Sequence, residues 1–354
     1  MSPTALTTVS NKRNSRTAIA LVVLFFLVAA GGLLYVKWAP YYDKALTAAD
    51  THSIGSSILS GQEGAGTLSS WDAAVQYAVT YFKSVWKAAV LGMLLGSLIQ
   101  VLIPADWLYR LLGRQGLKST VIGGVAALPG MMCSCCAAPV AEGMRKRNAS
   151  VGASLAFWLG NPLLNPATLV FMAFVLPWQF TAIRLVLGVL LTFGVSYIAD
   201  RLTKSDSVPE MPLPSNQKDA GAKGPLVLRW LKSLGVMALQ VVPVYILSVL
   251  ILSALESYMF PVWLESGVVA VILFALVGTL FVIPTAAEIP IIQTFMSMGL
   301  GGGAAAALLV TLPAVSLPSV LLVSRSFPKK ALVIVVLSVF GFGLLSGAIG
   351  AVWL

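Results

Sequence analysis

The 354-residue chain is 58% hydrophobic and only 10% charged, against roughly 45–50% apolar and about 25% charged in an average soluble domain. Its 23 basic and 13 acidic residues cannot cover a globular surface of that size, and a mean hydropathy of +0.90 makes lipid the solvent for most of the chain. A cytosolic enzyme, a disordered protein and a coiled coil are excluded, and the net charge of +10 fits basic cytoplasmic loops rather than nucleic acid.

A membrane-crossing helix needs about 20 predominantly apolar residues. The first candidate, Thr17 to Val36, follows Lys12, Arg13 and Arg16. It reads as a retained anchor helix rather than a signal peptide, despite the small residues Ala29 and Ala30. Residues 1–70 are thus expected to hold that anchor and an extracytoplasmic segment, Lys37 to Ser70, without strong periodicity. Further spans read as Val85 to Ile103, Val151 to Leu176, Trp178 to Ile198, Ser233 to Leu255, Gly301 to Val323 and Ala331 to Leu354. A Pro-, Ser-, Lys- and Asp-rich linker at 200–224 separates a first membrane half, 71–199, from a second, 225–354. Placing that linker inside puts 18 of 23 Lys and Arg residues in cytoplasmic segments, as the positive-inside tendency requires. Lys12, Arg145 and Lys329 are then cytoplasmic, and Glu265 lies outside.

The 26 residues between Lys118 and Arg145 do not make a simple span. Basic residues flank both ends, and Pro129-Gly130 and Pro139 interrupt the run. One crossing would put Arg145, Lys146 and Arg147 outside, whereas two would need about 40 residues. A re-entrant hairpin of two half-helices satisfies both constraints, and its exposed backbone must face protein or a water-filled cavity. A shift of 151 residues lays Pro139 over Pro290, Gly152-Ala153 over Gly303-Ala304 and Pro162 over Pro313. The two halves begin on opposite sides of the membrane. The expected fold is an all-α integral membrane protein with an inverted repeat of spans and broken hairpins, the architecture of many secondary transporters. No Gly-x4-Gly-Lys-Ser/Thr phosphate loop is present, so ATP hydrolysis is not its energy source.

Three sites carry chemistry. Cys133, Cys135 and Cys136, with Met131 and Met132 adjacent, fall at the hairpin tip between Pro129 and Pro139. Sulfurs are soft ligands for thiophilic species, and three cysteines in one cluster make no disulfide framework. The one histidine, His52, rules out a histidine-rich metal site. Asn161 and Asn165, beside Pro162 and Pro166, supply donors and acceptors where a span breaks, and would share a face of a continuous helix. Glu288 stands between Pro284 and Pro290 in an otherwise uncharged stretch; an ionisable residue at membrane depth is a functional candidate, here for a transported proton. Glu142 reads as solvated beside Arg145 to Arg147, and Arg184 as snorkelling outward.

The Cys133-Ser134-Cys135 hairpin, Pro139, the basic turn Gly143 to Arg147 and the Gly152-Ala153 start of a Pro162-broken span resemble the bacterial predicted-permease family. That family includes the organoarsenical efflux permeases, and its second half carries a hairpin like Pro284 to Pro290. The resemblance covers about Val85 to Leu354. It implies a permease rather than an enzyme, in a bacterial inner membrane, without a cofactor. Its partners are the lipid bilayer and a small-molecule substrate, and trivalent organoarsenicals become candidate cargo with Cys133, Cys135 and Cys136 as contacts.

The reading is therefore a secondary-active transporter that exports a small thiophilic solute, with Cys133, Cys135, Cys136, Met132, Asn161 and Asn165 binding it and Glu288 coupling a proton. Alternatives are a carrier of a small sulfur compound or anion, and a transmembrane thiol–disulfide electron carrier using a Cys133–Cys135 pair. A ligating thiol must deprotonate, and a helix N-terminus favours negative charge. With the second half-helix starting near Pro139, Cys135 is expected to matter most and Cys133 least.

Overall fold

The computed structural model describes residues 19–55, 70–203, 225–259 and 267–354. Lys12, Arg13, Arg16, Glu265 and the linker beyond Thr203 lie outside the described residues. Among those described, all regular structure is helical. Seven segments are long and apolar enough to cross a membrane, and each matches one of the seven spans read from the sequence. The protein is an all-α, multi-pass membrane protein.

In chain order the elements are α1 (Ile19–Thr51), α2 (Ser70–Leu102), α3 (Leu117–Ala127), α4 (Ser134–Lys146), α5 (Val151–Leu163) and α6 (Pro166–Val175). A continuous helix, α7 (Trp178–Leu202), closes the first half. The second half repeats the sequence of lengths: α8 (Leu226–Met259), α9 (Val268–Leu280), α10 (Glu288–Ser297), α11 (Gly302–Ala314), α12 (Leu317–Val323) and α13 (Lys329–Trp353). Long helix, two half-helices, broken span and long helix recur in register. Gly116 and Gly267, 151 positions apart, start α3 and α9 with φ of +142° and +107°, a region that glycine enters without penalty.

The re-entrant hairpin is α3 and α4, joined by a tight turn at Leu128–Gly130. Both half-helices are too short to span, as the charge argument required. The hairpin is held against α2 by small residues. A Cβ on Gly92 would stand 2.2 Å from the carbonyl oxygen of Cys136, and one on Gly96 2.4 Å from that of Pro139. This Gly-x3-Gly stripe lets two backbones touch, and it fixes the depth of the cysteines.

The anchor helix departs from expectation. It does not end near Val36 but continues to Thr51 through a π-helical turn at Leu34–Trp38. Phe25, Ala29 and Leu33 join the core, and the Trp38 indole donates to the carbonyl of Pro129 at 2.8 Å. What reads as an external segment in sequence is partly a wall of the helical bundle. Glu142 also departs: it is buried and paired with Lys146 at 2.7 Å. One turn of helix supplies the partner that its position beside three basic residues suggested water would supply.

Candidate substrate site

The turn after α3 leads Met131 through φ +49° and into Cys133, which is the N-cap of α4. Proline at 139 lies inside α4, not at its start. Two contacts hold this tip, and a third orients Asn161. Trp158 Nε1 donates to the carbonyl of Ser134 at 2.9 Å, Asn161 Oδ1 accepts from the amide of Met132 at 3.3 Å, and Asn161 Nδ2 donates to the carbonyl of Phe157. All three cysteines are buried free thiols. Cys133 Sγ and Cys136 Sγ form a thiol–sulfur contact of 2.9 Å, whereas Cys135 Sγ lies 3.1 Å from Ser316 Oγ of the second half. The pair close enough to exchange is thus Cys133–Cys136, not Cys133–Cys135.

Ser316 caps α12 through a reciprocal box with Ser319, and Asn165 caps α6 by accepting from the amides of Ala167 and Thr168. The two caps occupy corresponding places, 151 residues apart. Asn161 and Asn165 do not share a helical face, because α5 ends at Leu163 before Pro166 restarts the chain as α6. Asn161 positions the hairpin turn and Asn165 starts a helix.

That break also explains Arg184, which does not snorkel. A helix end leaves its last carbonyls without partners. Arg184, fully buried on α7, donates to the carbonyls of Pro162 at 2.7 Å and Leu163 at 3.3 Å. Its remaining terminal nitrogen meets Glu288 Oε1 at 2.6 Å. The guanidinium thus ties the broken span of the first half to the hairpin tip of the second. Glu288, the first residue of α10, is 1% exposed, and its Oε2 has no hydrogen-bond partner.

Between the two tips lies a cavity of about 10 Å³, lined by Cys133 and Ser134 from one half and Thr285, Ala286 and Glu288 from the other, with Pro162, Thr168 and Pro313 closing it. The hydroxyl of Thr168 is buried there without a partner. A space of that size holds about one water. Of the residues expected to bind solute only Cys133 lines the cavity, together with Glu288, the expected proton carrier. Cys136 stands one contact away through Cys133, Cys135 turns to Ser316, and Met132 faces a separate apolar crevice beside α1.

Sequence reasoning passed over Lys37, whose ammonium is buried and donates to Tyr41 Oη and Thr285 Oγ1, each at 3.0 Å. It lies within electrostatic reach of Cys133 and Cys136. The signal was a lone basic residue at the end of an apolar run, masked by the expectation of an external segment.

Interrupted helices from two repeats, meeting at a polar cavity in an apolar body, are the architecture of secondary transporters, and the fold and the site together define a membrane permease. The chain belongs to the predicted permease family ArsP_1, which its residues 124–351 match. It is 52% identical over 312 residues to UPF0718 protein YraQ of Escherichia coli strain K12, a match that covers 87% of this chain and 88% of that protein. It is 22% identical over 313 residues to UPF0718 protein MJ0584 of Methanocaldococcus jannaschii, covering 69% and 86%. No solved structure matches the chain.

Proposed function

We propose that the protein is a secondary-active permease of a bacterial cytoplasmic membrane that moves a small thiophilic solute through the cavity between the hairpin tips, coupled to a proton on Glu288. The observation that carries this reading is the placement of a thiol from one half and a half-partnered carboxylate from the other on one cavity wall. Cys133 supplies a soft contact, and its partner Cys136 stands ready to share the load. The solute passes from thiol to thiol without a closed three-sulfur cage, which would trap it. Trivalent organoarsenicals, which the family resemblance suggests as exported cargo, have the required soft-acid chemistry, whereas a small sulfur anion would use its sulfur to accept a hydrogen bond from the thiol. Glu288 changes charge at the place where the halves meet, and its proton alters their attraction through Arg184.

The test is transport in proteoliposomes, offering an uncharged trivalent methylarsenical and, separately, thiosulfate. Glu288→Gln is expected to bind cargo but to lose the dependence of transport on pH. Wild-type pH dependence in that variant would dismiss the proton role, and undiminished transport by a variant with all three cysteines replaced by serine would dismiss the sulfur role.

A further inference from the structure

We infer that the cargo is a soft anion, its charge held by Lys37 of α1 while its soft atom meets Cys133. The inference rests on the cavity between the tips being the cargo site. Taking an ammonium out of water costs several kcal/mol unless an opposite charge compensates. Lys37 is 5% exposed, yet its two hydrogen bonds go to neutral hydroxyls, and Tyr41 adds only a ring face 5.0 Å away. Among the described residues it has no carboxylate within ion-pair distance, because Glu288 is taken by Arg184. While Cys133 is a neutral thiol, two cations therefore stand at this depth against one carboxylate.

The local architecture adds to that excess. Cys133 and Ser134 start α4, and Glu288 starts α10, so two helix N-termini meet at the cavity. Each carries partial positive charge and favours an anion. Lys37 does not itself line the cavity; it comes from a π-helical turn, a distortion that recurs at functional positions, and its hydrogen bond to Thr285 joins it to the wall. Glu288 Oε2 and the Thr168 hydroxyl are left unpartnered on that wall. An anion with a sulfur end satisfies the ammonium, the helix ends and the thiol together. Lys37 lies outside the stretch 124–351 that matches the family, so this cation is an addition to what the family match accounts for.

Two methanethiosulfonate reagents, one carrying a sulfonate and one a trimethylammonium, each with its rate divided by its rate toward a small free thiol, test the charge of the site in the purified full-length protein. The sulfonate reagent is expected to label Cys133 about tenfold faster, the scale of one charge-assisted contact. Lys37→Met should bring the two rates together, and Lys37→Arg should keep most of the preference. Equal rates in the wild type, a preference that survives Lys37→Met, or a loss of both rates in parallel would overturn the inference. The last of these outcomes would mean that Lys37 serves only the thiol. Calorimetry supplies the second arm: thiosulfate binding should weaken about tenfold in Lys37→Met, with binding of an uncharged trivalent phenylarsenical unchanged. If the wild type binds the arsenical and not thiosulfate, the anion inference fails while the thiol site stands. If the triple cysteine-to-serine variant binds both as the wild type does, the thiol site itself fails.

Discussion

The two hairpin tips share a backbone plan and differ in chemistry. Cys133 to Pro139 corresponds to Pro284 to Pro290, and both enter a half-helix at the same cavity. In the first tip the helix begins at Ser134, directly after the cysteine that caps it. In the second it begins at Glu288, after a turn in which Ala286 adopts φ +69°. The delay places a carboxylate on the first helical turn where the other tip has Ala137. One tip therefore offers sulfur and the other offers charge. Under the proposed function, divergence at the tips gives cargo contact to one half and coupling to the other.

The strongest way to break this picture is to cut the tie between the halves. Arg184→Met leaves Glu288 as an uncompensated buried charge, which costs about 3–5 kcal/mol. Unfolding of the detergent-solubilised protein should show that loss, and adding Glu288→Met in the same chain should recover most of it. Single and double variants of equal stability would mean that the pair does not join the halves.

Replacing the sulfurs one at a time sharpens the comparison at the first tip. Cys133→Ser should reduce cargo binding most, by about tenfold or more for loss of its soft contact. Cys136→Ser should have an intermediate effect through the 2.9 Å contact with Cys133. Cys135→Ser should matter least, since its sulfur is engaged with Ser316 and serine can keep that hydrogen bond. This order reverses the one suggested by the sequence, which assumed a helix beginning near Pro139. Binding isotherms in which Cys135→Ser is the weakest would restore the earlier order.

The spans were legible because hydropathy over 20 residues depends little on tertiary packing, and the hairpin was legible because charge on both flanks left no other solution. The inverted repeat was visible in a few prolines and small residues. The site was less so. Proline in a span signals a break but not where the helix resumes, so Cys133 was not recognisable as the N-cap. Arg184 resembled a snorkelling residue because its partners, the carbonyls of Pro162 and Leu163 and the Glu288 carboxylate, are created by a chain break and by a residue 104 positions away. Lys37 was hidden because helix continuation through a π turn has no strong periodicity to mark it.

The smallest expected effect falls on Met132, a soft side chain next to the cysteines that composition alone would enlist as a ligand. It is 1% exposed, and it lines an apolar crevice of about 310 Å³ with Phe25, Leu33 and Met144 rather than the cavity that holds Cys133 and Glu288. The hairpin turn directs it there, because Asn161 takes the Met132 amide while the chain reverses toward Cys133. A thioether in that place acts as filler. Met132→Leu nearly conserves volume and should cost less than about 1.5 kcal/mol of stability, with cargo affinity unchanged. Loss of affinity in that variant, at wild-type stability and with Cys133 still reactive, would extend the soft site across the turn and make the first tip a two-sided sulfur clamp.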